Sequence, residues 1–356
     1  MQDIFKFAVR NDVKNSMRTT INEEKLNDLI CSSGSIVIFG HENPDGDSIG
    51  SAVGMFHYLT GLGKNPHIVI NSRLPDNLDF IIPEGAVSYY NEDAPLCESL
   101  ISAADLLIFL DMNGVDRSGG VSKFVEQSTG SARRVLIDHH LNPKTEGFDV
   151  VVSDTGVSSA CELLYRVLLQ QPGIDGNVGN LSLECARAIL TGILTDTNNF
   201  ANSVYPSTYM AVSSLQARGV DRDQLYDAVF RSYSEQRMRL MGHLLQDNMR
   251  CIEPGVAYFT LSLDDKNKYG FVRGDSEGFV NLPLSIKEIR MSAFFTEDES
   301  FVKVSLRSKG NLDVNDFAHK YCNGGGHRNA SGGRLYMPLS EVSAYFESKV
   351  KEFFAE

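Results

Sequence analysis

The chain has 356 residues, 42% of them hydrophobic and 22% charged, with a formal net charge of -13. That length suits two domains better than one, and the balance is that of a folded globular protein. The charge excludes a broad grip on long duplex DNA, which needs many Lys and Arg contacts to phosphate. It leaves open a small anionic substrate held with the help of bound cations.

The charge is uneven. Residues 255–356 hold 13 basic and 14 acidic residues, so nearly all of the acidic excess precedes them. No stretch reaches the ~18 uninterrupted apolar residues of a membrane helix, and Met1 to Arg18 lacks the apolar run of a leader; no membrane partner is expected. The six cysteines are scattered without a C-x-x-C pair, which points to reduced thiols in a cytoplasmic protein.

In chain order, residues 35–39 (SIVIF) predict a buried strand, followed by a polar loop and a helix from about Ile49 to Leu62. Strands are predicted at 67–70 (HIVI), 106–111 (LLIFLD) and 134–138 (RVLID), with helical patterns between them. This alternation predicts an α/β domain with a mainly parallel sheet flanked by helices. Amphipathic helices are predicted at 157–170 and 183–195, and a largely helical region at 207–252. Pro254-Gly255 marks a boundary. Short strands follow at 256–262, 289–295 and 301–306, then a glycine-rich loop at 323–333 (NGGGHRNASGG) and a helix at 339–354. The expected division is a catalytic domain over 1–235, a helical connector over 236–255 and a smaller α+β domain over 256–356.

Three predicted strands turn polar at their carboxyl ends, where open α/β sheets collect ligands. After the first comes HENPDGD, offering His41, Asp45 and Asp47 within seven residues. Pro44 and Gly46 can bend this loop, and two facing carboxylates repel unless a cation offsets them. The plain alternative is a solvated turn in which Asp47 or Ser48 caps the helix. Asp111 closes the third strand. Asp138, His139 and His140 close the fourth, and neutral imidazole is a common metal ligand whose second nitrogen needs a partner. Asp196 ends the helix 183–195. In the glycine-rich segment, Gly324, Gly325 and Gly326 let backbone amides approach an anion. His327 and Arg328 follow them, and Arg307 offers a planar fork suited to phosphate.

The segments HENPDGDSIGS, LDMNGVDRSG, LIDHH and GILTDTNNF stand in the order and approximate spacing of the DHH phosphoesterase superfamily, which the chain resembles from about residue 20 to 350. GGGHRNASGG resembles the signature of the accompanying DHHA1 domain. Within the superfamily the chain looks most like the bacterial oligoribonuclease (nano-RNase) and pAp phosphatase branch. The resemblance implies two Mn2+ ions per active site, with Mg2+ or other divalent ions accepted. It assigns His41, Asp45 and Asp111 to one ion, and Asp47, Asp111, His139 and Asp196 to the other, Asp111 bridging. Carboxylates and imidazoles without a thiolate also suit manganese better than zinc.

The same resemblance puts His140 near the substrate phosphate, with Asp138 supporting the histidines. It puts Arg307 and the GGGH stretch on the substrate side of the second domain. Arg117 matches an arginine that contacts phosphate or a neighbouring acid, and Ser158, Ser159 and Glu162 match a segment packed near the site. The implied substrates are RNA of roughly two to five nucleotides, linear dinucleotides and pAp, all needing few phosphate contacts. A water shared by the cations is the expected nucleophile. A homodimer is a further expectation. The alternatives are a cyclic-dinucleotide phosphodiesterase, a pyrophosphatase or exopolyphosphatase, and a non-catalytic nucleotide- or RNA-binding regulator.

Overall fold

A computed structural model describes residues 23–127, 132–272 and 274–355; the leader reading of Met1 to Arg18 lies outside them. The chain divides into two compact units, the first ending at Ser232 and the second beginning at Tyr233.

The first unit is built on a six-stranded sheet. Its strands are β1 (Ser35–Phe39), β2 (Asn65–Ile70), β3 (Val87–Tyr89), β4 (Leu106–Leu110), β5 (Arg133–Asp138) and β6 (Val150–Ser153). All pairings are parallel and the order is β3-β2-β1-β4-β5-β6. Such a sheet needs cover on both faces, and alternation along the strands provides it. Ile36 and Ile38 of β1, with Leu106, Ile108 and Leu110 of β4, enter one core. Val37 and Phe39, with Leu107 and Phe109, enter the core on the opposite face. Phe39 and Phe109 are register partners, and their rings stack with centroids 4.6 Å apart, fixing the central pairing.

Between β1 and β4 the strand order reverses: β2 and β3 extend to one side, β4 to β6 to the other. At such a switch point the two outgoing loops diverge and leave a crevice at the carboxyl edge. The helix α1 (Glu23–Ser32) precedes β1, and α2 (Gly46–Gly61) follows it. The helices α3 (Ala94–Ser102) and α4 (Val121–Gln127) cover the Phe39 face. On the other face lie α2, α5 (Ala160–Gln170) and α6 (Leu183–Asp196), followed by α7 (Pro206–Ala217) and α8 (Arg222–Phe230).

Gly46, Gly50 and Gly54 recur every fourth residue of α2 and face α6. A Cβ at Gly50 would stand 2.6 Å from the Ala188 carbonyl oxygen. The two backbones therefore pass in near contact, which brings the first turn of α2 beside the last turn of α6.

The second unit holds a mixed six-stranded sheet of order β11-β12-β10-β9-β8-β7. Its strands are β7 (Arg250–Ile252), β8 (Val256–Leu261), β9 (Met291–Glu297), β10 (Val302–Ser308), β11 (Gly325–His327) and β12 (Ala330–Leu335); only the β8–β9 pair among them is parallel. The helices α11 (Val314–Tyr321) and α12 (Leu339–Ala355) cover one face through Phe317 and Phe346. The helix α9 (Glu235–His243) covers the other, and α10 (Leu263–Lys268) follows β8.

Two sequence expectations need correction here. The segment 236–255 is not a separate connector. Leu240 and Leu244 are buried with Phe259, Phe279 and Phe294 in the core of the second unit. The glycine-rich stretch is not an open loop either, because Gly325–His327 and Ala330–Leu335 pair as antiparallel strands. Its glycines are steric requirements: a Cβ on Gly324 would overlap the Gly332 carbonyl, and one on Gly333 the Cys322 carbonyl. No helix among the described residues is long and apolar enough to cross a membrane.

Candidate metal centre

The carboxyl edge of the first sheet gathers the polar residues that its strands deliver. The loop after β1 carries His41, Asp45 and Asp47; Asp111 follows β4; Asp138, His139 and His140 end and follow β5; Asp196 is the last residue of α6. Asp45, not Asp47 or Ser48, caps α2, accepting from the amides of Asp47 and Ser48 at 3.1 Å each. The cap also fixes the loop that presents His41.

Two groups of donor atoms share one carboxylate. His41 Nε2 lies 3.4 Å from Asp111 Oδ2 and 3.7 Å from Asp45 Oδ1. His139 Nε2 lies 3.5 Å from Asp111 Oδ1, 3.7 Å from Asp47 Oδ2 and 3.7 Å from Asp196 Oδ2. These separations exceed those of good hydrogen bonds. They match donor atoms arranged around a common cation at about 2.0–2.2 Å. Asp111 Oδ1 is buried without a hydrogen-bond partner, a costly state for a carboxylate unless a cation meets it. Asp111 also adopts φ 58°, in the left-handed region that a non-glycine residue rarely occupies,. The donor set is four carboxylates and two imidazoles, fitting hard or borderline divalent ions.

The electrostatics agree. Burial alone disfavours a charged His41 or His139, but the neighbouring carboxylates outweigh it and raise both to about 10, Asp111 being the main partner of each. Burial and the charge of Asp111 push Asp47 up to about 7, and burial together with Asp47 raises Asp196 well above its ordinary value. Without cations, this cluster holds protons in their place.

The supports are specific. Asp138, fully buried, lies with Oδ1 2.7 Å from His140 Nδ1. An ionised carboxylate can only accept, so Nδ1 carries the proton and the tautomer is set. Asp47 receives the amides of Ala160 at 2.6 Å and Cys161 at 2.8 Å, the first residues of α5. A helix N-terminus is a natural seat for a carboxylate. Ser159 caps that helix.

The sequence reading put Ser158, Ser159 and Glu162 near the site but gave Glu162 no part in this seat. Glu162, fully buried, accepts from Ser158 N at 3.0 Å, Ser158 Oγ at 2.8 Å and Thr208 Oγ1 at 2.6 Å, and pairs with Arg166. The S-x-x-E spacing of Ser159 and Glu162 was the available signal, though Glu162 reaches the amide of Ser158 rather than that of the cap residue.

Other expected residues fall as follows. Arg117 is exposed, and its carbonyl accepts from Glu42 N at 2.7 Å, tying the loop after β4 to the loop after β1. In the second unit, His327, Ala330 and Arg307 form one row across β11, β12 and β10, so they share a face of the sheet. Gly326 N donates to Asn315 Oδ1 at 2.7 Å, and Arg328 is exposed.

Comparison with known proteins finds two matched segments. Residues 35–193 match the DHH family, N-terminal domain, and residues 254–356 match the DHHA1 domain. The chain is 32% identical to the bifunctional oligoribonuclease and PAP phosphatase NrnA of Thermus thermophilus, covering 85% of this chain and 84% of that protein. It is 27% identical to the protein of the same name from Bacillus subtilis, covering 89% and 95%. Among solved structures, an exopolyphosphatase-related protein from Bacteroides fragilis is 34% identical, with TM-score 0.87 over 95% of this chain and 98% of that one.

Proposed function

The chain belongs to the DHH family and carries a DHHA1 domain, and on that premise we propose that it is a two-cation phosphoesterase hydrolysing short oligoribonucleotides and PAP. The NrnA relatives act on both substrate classes by name and span nearly their whole length with this chain. The observation that carries the reading is the sharing of Asp111 between two donor groups, its two oxygens facing His41 and His139.

Within this reading, His41, Asp45 and Asp111 hold one cation, and Asp47, Asp111, His139 and Asp196 hold the other. Bound divalent cations supply charge for the phosphoryl oxygens and a water ionised near neutral pH. The Asp138–His140 pair keeps the second ring nitrogen of His140 as the group that meets the substrate. Cys161, beside Asp47, is not a competing nucleophile, because burial and Asp47 raise its thiol well above the ordinary value,. Arg307, Gly324, Gly325, Gly326, His327 and Arg328 contribute the phosphate- and nucleotide-holding surface of the second unit, and Arg117 that of the first. Mn2+ as the preferred ion, a homodimer and a cytoplasmic setting complete the proposal. So does weak affinity for long duplex DNA, supported by the net charge of -13.

The test is a panel of substrates with Mn2+: a labelled RNA trimer, PAP, pGpG, cyclic di-AMP and pyrophosphate. Turnover of the trimer and PAP is expected. Failure on both, with cleavage of cyclic di-AMP or pyrophosphate, overturns the substrate assignment. Binding of RNA with no turnover in Mn2+, Mg2+ or Co2+ favours the regulator.

A further inference from the structure

The two donor groups are held differently. The His41 side is fixed by its own loop, through the Asp45 cap on α2. The Asp47 side depends on a second helix, because both Asp47 oxygens are bound by amides at the start of α5. Behind the Ser159 cap, Glu162 also fixes the start of α5. Its Oε2 takes three donors, two from Ser158 and one from Thr208. Its Oε1 lies 2.5 Å from Arg166, which also reaches Asp154 at 3.4 Å. Despite burial, these hydrogen bonds and the Arg166 charge hold Glu162 below the usual carboxylate range, so it is ionised.

Thr208 carries the contact to the other flank. It sits in the first turn of α7, and its hydroxyl oxygen also accepts from Tyr205 N at 3.1 Å. Between Asp196 and Tyr205 the chain turns through Asn198, Asn199, Phe200 and Ser203, all with φ between 47° and 67°. A turn with four non-glycine residues in the left-handed region holds its shape only if both ends are anchored. Asp196 is one end of it, and the Glu162–Thr208 bond fixes the other. One buried carboxylate thus links the two segments that deliver Asp47 and Asp196, and it touches neither His41 nor Asp45.

We infer that Glu162 is a positioning residue for one cation position only, the one formed by Asp47, Asp111, His139 and Asp196. The inference rests on the two-cation reading above. Residues that orient metal ligands from behind typically change affinity by about 10–100-fold.

The experiment is a calorimetric titration of the metal-stripped full chain with Mn2+. Asp47→Asn and Asp45→Asn identify which binding event belongs to which side. Glu162→Gln, which keeps the shape and removes the charge, is expected to weaken the Asp47-side event about 10–100-fold and leave the Asp45-side event within about threefold. Thr208→Val removes the donor to Glu162 and the acceptor of the Tyr205 amide, remains folded if Glu162→Gln does not, and is expected to shift the same event in the same direction by less. If both variants bind both ions as the wild type does, or weaken both events equally, Glu162 has no side-specific role and the inference is overturned. If the wild-type chain itself binds no Mn2+, the two-cation reading fails first.

Discussion

His140 Nδ1 lies 2.7 Å from Asp138 Oδ1, so the buried last residue of β5 dictates the tautomer of a histidine two positions on. Asp138→Asn keeps the shape but lets the amide nitrogen face the ring, which favours the other tautomer. The expected result is a fall in kcat of about 10–100-fold with Mn2+ affinity nearly unchanged. Steady-state kinetics on PAP beside a Mn2+ titration measures both. A loss of Mn2+ binding as large as the loss of kcat would instead make Asp138 a support of the cations.

Asp111 faces both donor groups, so under the two-cation proposal its removal differs in kind from removal of any other donor. Asp111→Ala is expected to abolish hydrolysis and to weaken both Mn2+ binding events, whereas Asp45→Asn weakens one. A folded Asp111→Ala chain with wild-type turnover contradicts the bridging role.

The metal-free protein has a pH dependence whose sign follows from its raised groups. His41 and His139 stand at about 10 against an ordinary 6.5, and Asp47 at about 7 against 3.8. A group raised on folding stabilises the fold below its ordinary value and loses that contribution as pH climbs through the raised one. Between pH 7 and 9 the metal-free Tm is therefore expected to fall. His57 and His67, lowered by burial, act in the opposite direction, and their contribution levels off as pH rises past the ordinary 6.5,. Cations replace the protons, so the gain in Tm on adding Mn2+ grows over the same range. Melting curves in chelator and in Mn2+ check this; a metal-free Tm that rises from pH 7 to 9 contradicts it.

Close passage of α2 and α6 is a precondition for Asp47 and Asp196 to meet. Gly50→Ala sets a methyl group against the Ala188 carbonyl and the Cys161 thiol. Overpacking of this kind costs about 1–3 kcal/mol, read by urea denaturation, and the Asp47-side Mn2+ event is expected to weaken with it. Wild-type stability in Gly50→Ala means that the helices separate without strain.

Arg307 shares a sheet face with His327, and neither is among the candidate metal ligands proposed above. Arg307→Ala is expected to raise KM for PAP by about 10–100-fold, the loss of a charged hydrogen bond, with a smaller change in kcat. Unchanged KM removes Arg307 from the substrate surface.

Most of the first unit was readable because its central strands are uniformly apolar and end in charged residues: SIVIF, LLIFLD and RVLID announce both strand and edge. The short outer strands Val87–Tyr89 and Val150–Ser153 were not, since three or four residues carry too little pattern to separate an edge strand from a loop,. The glycine-rich stretch misled for a related reason. Glycine signals flexibility in sequence, but here it is what allows β11 and β12 to pack against a carbonyl on each side. His41, Asp111 and His139 were foreseeable as residue types at strand ends. Thr208 was not, because its partner Glu162 lies 46 positions away and nothing local marks it.

Crystals grown with Mn2+ and measured across the manganese absorption edge test the central claim directly. Two anomalous peaks are expected on either side of the Asp111 carboxylate, one contacted by His41 and Asp45, the other by Asp47, His139 and Asp196. A single peak, or peaks away from Asp111 with these side chains turned apart, contradicts it.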